Sequence, residues 1–177
     1  MGNDKRKLVL AVCWGNIQRS PTAAFLINRE IKKRGLENKY YCLSRGILGS
    51  AGLPPPKHPN FTFYKEEYEA AEPHLRNLEI DLSTHIAQPI DRETIERADI
   101  ILAMDKKILT DPVGGLFVQF PECKEKVHLF SELLGGDFEV QDLDTVTESE
   151  RHKLTINMLD RTVREGFPTL LSFTDLA

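Results

Sequence analysis

The chain has 177 residues, 41% of them hydrophobic and 28% charged, which suits one soluble globular domain and excludes a disordered chain. With 23 Lys+Arg against 27 Asp+Glu, the formal charge of −4 excludes an overall basic surface for nucleic acid. The expected organisation is a single domain over residues 1–177. The three cysteines, Cys13, Cys42 and Cys123, are odd in number and widely spaced, with no C-x-x-C pair, so neither a zinc site nor a redox dithiol is expected. A reduced, cytoplasmic protein without metal or cofactor is the simplest reading. The polar N-terminus and the short apolar run 8–13 predict neither a signal peptide nor a membrane span. Arg6 stands where a myristoylation signal at Gly2 would need Ser or Thr.

Taken in chain order, residues 8–12 (Leu-Val-Leu-Ala-Val) form an unbroken apolar run of strand length, the pattern of a central parallel strand covered on both faces. The run breaks at Gly15-Asn16. Ser20-Pro21 then opens a helix that closes on Lys32-Lys33-Arg34-Gly35, basic residues at the negative end of the helix dipole before a glycine cap. Residues 40–44 predict a second strand, and the Gly- and Pro-rich residues 47–60 a loop. Apolar positions 61, 64, 68, 71, 75 and 78 predict an amphipathic helix, kinked or split at Pro73, with its aromatic stripe in the core. Residues 86–90 read as a short extended piece, 92–98 as a helix, 99–105 as a strand and 124–130 as a weaker strand. The last helix is placed at 147–166, with a capping box at Thr147 and Glu150 and an end marked by Gly166 and Pro168. This alternation predicts a doubly wound α/β domain with a parallel sheet, whose ligand site lies at the carboxyl ends of the strands.

The loop after the first strand reads Val12-Cys13-Trp14-Gly15-Asn16-Ile17-Gln18-Arg19-Ser20-Pro21. A tight turn from strand to helix points several backbone N–H groups inward, and with the helix N-terminus they make an anion cradle. Cys13 stands at its base, where the same field is expected to lower the thiol pKa below its free value of about 8.5. Arg19 folds back over the anion and grips two oxygens with its planar fork. Gly15 and Asn16 are residue types that tolerate left-handed backbone. Ser20 donates to the sulfur and eases its departure from a phosphoenzyme.

This C-x5-R-S pattern is the signature of cysteine-dependent phosphatases, and in the form V-C-x-G-N-x-x-R-S-P it resembles the low-molecular-weight protein tyrosine phosphatase family over roughly residues 8–171. Ser44-Arg45-Gly46 is similar to that family's S-A-G, Thr84-His85 to its S-H pair, and residues 99–105 to its D-x-I-x-x-M-D strand. The resemblance implies a three-layer fold with a four-stranded parallel sheet in the flavodoxin-like order 2-1-3-4. It implies a phosphate-binding loop of Trp14, Gly15, Asn16, Ile17, Gln18, Arg19 and Ser20, and a supporting network of Asn16, Ser20, Ser44 and His85. The implied activity is hydrolysis of phosphotyrosine in proteins or peptides, and of aryl phosphates, through a cysteinyl-phosphate. Inorganic phosphate or vanadate are the implied ligands, with no nucleic acid or membrane partner.

The general acid is carried by the family in a V-P-D-P-Y-like loop, which aligns with residues 139–144. Asp142 takes the Asp position. Gln141 and Leu143 replace both prolines, which loosens the loop, and Asp144 stands where an aromatic is expected. The acid is Asp142, favoured by the alignment, or Asp144, or neither, both then being solvated turn residues. Gln18 replaces the second loop cysteine of many members. Ile17 resembles the tyrosine phosphatases, whereas relatives acting on phosphoarginine tend to carry Thr there. Trp14 is either a stacking wall of the pocket or a side chain packed on neighbouring loops. Two alternatives stay open: a weakly active phosphopeptide-binding module, and an arsenate reductase, which requires Cys42 and Cys123 to approach Cys13. The sequence leaves the oligomeric state open.

Overall fold

The computed structural model describes residues 6–57 and 60–175. The N-terminal readings at Gly2 and the loop residues His58 and Pro59 lie outside the described residues. Four parallel strands form one sheet in the order β2-β1-β3-β4: β1 is Lys7–Cys13, β2 Tyr40–Gly46, β3 Ile100–Ala103 and β4 Val127–Leu129. The helices are α1 (Arg19–Lys33), α2 (Asn60–Phe63), α3 (Lys65–Asn77), α4 (Arg92–Arg97), α5 (Lys106–Thr110), α6 (Leu116–Gln119) and α7 (Ser149–Asp175). No described helix is long and apolar enough to cross a membrane.

The apolar run of β1 serves two cores at once. Val9, Ala11 and Cys13 face the helices α1, α3 and α7, while Leu8, Leu10 and Val12 face α4, α5 and α6. Side chains alternate across a strand, so a strand buried on both faces must be apolar throughout. All the strands point their carboxyl ends the same way. Cys13 therefore emerges at one edge beside Gly46 and the residues after β3.

Three local punctuation signals are overruled by packing. The split in the 61–78 region falls at Tyr64, whose φ of −121° and ψ of 44° are not helical, and α3 runs through Pro73. Pro73 is exposed, on the solvent side of the helix, while Ala71 and Leu75 anchor the same helix in the core. Likewise α7 passes Gly166 and Pro168 to Asp175, because Phe167 and Leu170 are buried against the sheet. It starts at Ser149 rather than at Thr147, with the Glu148 carbonyl accepting from the amides of Arg151 and His152. The predicted strand at 124–130 shrinks to Val127–Leu129 because Pro121–Lys126 forms a 3-10 turn, and the extended piece at 86–90 makes a single bridge, Gly46 to Pro89.

Gly166 has a different task from ending a helix. A Cβ there would lie 2.6 Å from Leu133 Cβ and 2.8 Å from the Leu133 carbonyl oxygen. Ala in place of Gly ordinarily favours a helix by about 1 kcal/mol. Here the collision reverses the sign: Gly166→Ala is expected to destabilise by about 1–3 kcal/mol, read by denaturant or thermal unfolding. A variant as stable as the parent would show that the contact gives way freely.

Candidate active site

The loop from Cys13 to Arg19 is built around a left-handed residue. Asn16 has φ of 55°, a conformation that costs a non-glycine residue about 1–2 kcal/mol. Its side chain meets that cost with three hydrogen bonds: Nδ2 donates to Ser20 Oγ and to Ser44 Oγ, each at 2.9 Å, and Oδ1 accepts from the Gln88 amide at 2.9 Å. His85 Nε2 lies 2.8 Å from the Asn16 carbonyl oxygen. The structure thus brings Asn16, Ser20, Ser44 and His85 into one cluster. Gly46, which closes β2, is part of it: a Cβ there would sit 2.9 Å from the Asn16 amide nitrogen.

Cys13 Sγ lies inside this turn. The Asn16 amide donates to it at 3.1 Å, and Ser20 Oγ is 3.0 Å away. The sequence predicts a lowered thiol pKa, and the structure corrects that expectation. Complete burial pushes the thiol up, and the opposing pull of Arg19 and the Ser20 contacts does not overcome it. Asp144 adds to the upward push.

Arg19 is 1% exposed and is divided between two jobs. Nη1 donates to Asp105 Oδ2 at 2.6 Å and to the Val140 carbonyl at 3.0 Å, which anchors one edge of the guanidinium to the end of β3 and to the acid loop. Nε and Nη2, the other edge, are buried and have no hydrogen-bond partner among the described residues. Asp142 Oδ2 approaches Nη2 to 2.9 Å as an ion pair without hydrogen-bond alignment. A fork with one edge fixed and the other open, beside a sulfur and a helix N-terminus, suits a tetrahedral oxyanion.

The acid loop is held more firmly than its missing prolines suggest. Val140, Leu143 and Val146 are all buried, and the Val140 amide donates to the Met104 carbonyl at 2.9 Å. His152 ties this loop to the phosphate loop. Burial lowers its pKa, so the neutral ring accepts from Gln18 Nε2 at 3.1 Å through Nδ1 and donates from Nε2 to the Val146 carbonyl at 2.6 Å. Asp142 is half exposed at the mouth. Asp144 is held up at about 7, first by burial and then by the charge of Asp142, against the pull of Arg19.

A cavity opens beside the loop, walled by Ile17 and Gln18, by Tyr64 just before α3 and Tyr68 within it, and by Leu143 and Asp144. The aromatic positions predicted as core are therefore shared: Ala71 and Leu75 face the core as well as this cavity, and the two tyrosines are half-buried along it. No described residue of the Pro-rich loop lines it. Trp14 does not line it either; its ring packs on the core of the opposite sheet face, with Lys107 Nζ 3.8 Å from the ring centroid. The three cysteines are free and buried, and Cys123 lies in the cluster across the sheet from Cys13 and Cys42. The supports that sequence reasoning missed are the Val140 carbonyl, the Gln88 amide and His152. Asp105 stood in the quoted strand pattern, without an assigned task.

A buried Cys and a half-anchored Arg around one strand-to-helix turn, on a parallel sheet of order 2-1-3-4, define a doubly wound α/β protein with a cysteine-centred anion cradle. The sequence pattern of the family described as low molecular weight phosphotyrosine protein phosphatase matches residues 8–170, and the chain belongs to that family. The low molecular weight protein-tyrosine-phosphatase Ptp of Acinetobacter johnsonii is 32% identical over 100 residues, which is 56% of this chain and 58% of that protein. The match thus spans little more than half of that relative's length. The low molecular weight phosphotyrosine protein phosphatase of Gallus gallus is 29% identical over 130 residues, 73% of this chain and 72% of that protein. The crystal structure of low molecular weight protein tyrosine phosphatase from T. tengcongensis has a TM-score of 0.71 at 27% identity, covering 92% of this chain and 99% of that one.

Proposed function

We propose that the chain is a phosphatase that hydrolyses phosphotyrosine in proteins or peptides, and aryl phosphates, through a cysteinyl-phosphate intermediate. The observation that carries this reading is the open edge of Arg19, Nε and Nη2, buried beside the Cys13 sulfur. As the ester enters, these two groups and the loop amides take its equatorial oxygens, and Asp142 gives up its pairing with Nη2. The thiol that burial favours is no obstacle. A thiolate beside a phosphate monoanion carries the same number of protons as a thiol beside a dianion, and Arg19 favours the thiolate.

Cys13 Sγ attacks phosphorus in line, the P–O bond to the leaving group breaks, and Asp142, which takes up a proton from solvent once it has left Arg19, protonates the departing oxygen. Water then attacks the cysteinyl-phosphate with Asp142 as base, and Ser20 Oγ, 3.0 Å from the sulfur, hydrogen-bonds the departing thiolate. The positive field comes from Arg19 and the loop amides. Phosphorylated proteins or peptides are the proposed partners, inorganic phosphate and vanadate the proposed ligands, and the cytoplasm the proposed location.

Asp142→Ala is expected to slow hydrolysis of phosphotyrosyl peptides by about 10²–10⁴-fold and to spare esters with good leaving groups such as p-nitrophenyl phosphate. Equal and very low rates for parent and variant on both substrates would instead identify a phosphopeptide-binding module.

A further inference from the structure

The acid loop carries a second carboxyl that this reaction scheme leaves idle. The Asp144 amide donates to Asp142 Oδ1 at 3.2 Å, while its own side chain reaches back to the phosphate loop. Its Oδ2 lies 2.7 Å from the point that a Cβ on Gly15 would occupy, so glycine at that position leaves room for the carboxyl. Ile17, Leu143, Tyr64 and Tyr68 give its cavity a largely apolar wall, and no described residue donates a hydrogen bond to the carboxyl.

The groups that act on it come from every neighbouring element. Arg19 draws it towards ionisation, Asp142 and Glu67 of α3 oppose that, and Tyr64 and Tyr68 stand across the cavity. Cys13 feels Asp144 in return, since the carboxyl pushes the thiol up. A side chain that reaches the loop at Gly15 and the nucleophile electrostatically also reaches the oxyanion that the cradle holds.

We propose that Asp144 is a specificity-determining residue of the phosphatase site: a carboxyl facing the bound phosphoryl group, which it hydrogen-bonds when protonated and repels when ionised. This rests on the phosphatase reading above. Because burial and Asp142 hold the Asp144 carboxyl at about 7, a dianion enters together with a proton above that pH.

The test uses sulfate, which stays a dianion throughout, binding to the Cys13→Ser protein, in which the thiol no longer titrates. Affinity is followed by calorimetry from about pH 5.5 to about pH 8.5. It is expected to fall by up to about tenfold per pH unit above pH 7. In Cys13→Ser/Asp144→Asn the profile is expected to be nearly flat, with affinity at the alkaline end raised about tenfold or more. In the catalytic protein, Asp144→Asn is expected to move the alkaline limb of kcat/KM to higher pH. Superimposable sulfate profiles with and without Asp144 would overturn the proposal and leave the phosphate cradle standing. Sulfate binding to neither protein at any pH would overturn the cradle itself.

Discussion

Cys13→Ser is expected to reduce turnover by about 10⁵–10⁶-fold, the scale seen when a covalent enzyme loses its nucleophile. The exchange is nearly isosteric, so the folded state should survive it. The Asn16 amide and Ser20 Oγ, at 3.1 and 3.0 Å from the sulfur, would face the new hydroxyl instead. What changes is the accessible charge state. A thiol raised by burial still ionises when Arg19 and a bound ester offset that burial, whereas an alkyl hydroxyl in the same place does not. Oxyanion binding rests on Arg19 and the loop amides, so sulfate and phosphate should still bind the variant. The pairing of lost turnover with kept binding is the diagnostic result. If turnover stays within about 100-fold of the parent, the covalent route through Cys13 is wrong, because general acid catalysis and the cradle would then be carrying nearly all of the rate without it.

The elements that were legible in the sequence are those whose signal is short and contiguous. β1 and the phosphate loop pack a strand, a turn and the chemistry into residues 8–21, and the apolar β3 is equally plain. Local punctuation misled where distant packing outvoted it. Pro73 and Gly166-Pro168 read as breaks, yet Leu75, Phe167 and Leu170 bury the same helices firmly enough to carry them through. The site divides along the same line. Cys13, Asn16 and Arg19 announce themselves within one loop. Their supports come from afar: Asp105 is 86 residues from Arg19, the Val140 carbonyl 121, and His152 is 134 residues from Gln18. The direction of the Cys13 shift was misjudged for the same reason. The guanidinium and the helix N-terminus are visible in the sequence, but the completeness of the burial is a property of the whole fold.

Arg19→Lys is expected to lower kcat/KM by about 10³-fold or more although the charge is kept, within the range found when a transition-state arginine or a pair of oxyanion donors is lost. The reason is the division of labour within one planar group. Asp105 and the Val140 carbonyl hold Nη1, and that fixes the direction in which Nε and Nη2 point. A lysine has a single ammonium and must choose between Asp105 and the phosphate. If it chooses Asp105, the oxyanion loses its fork; if it chooses the phosphate, a largely buried carboxylate loses its partner. Asp105→Asn separates these costs. It keeps the guanidinium and weakens only its anchor, so kcat/KM is expected to fall by about 10–100-fold, with a smaller loss in sulfate affinity than Arg19→Lys shows. Thermal unfolding of both variants beside the kinetics tells a broken site from a loosened fold. An Arg19→Lys protein within tenfold of the parent would mean that a point charge suffices. The fork held open by Asp105 would then have no part in binding the transition state.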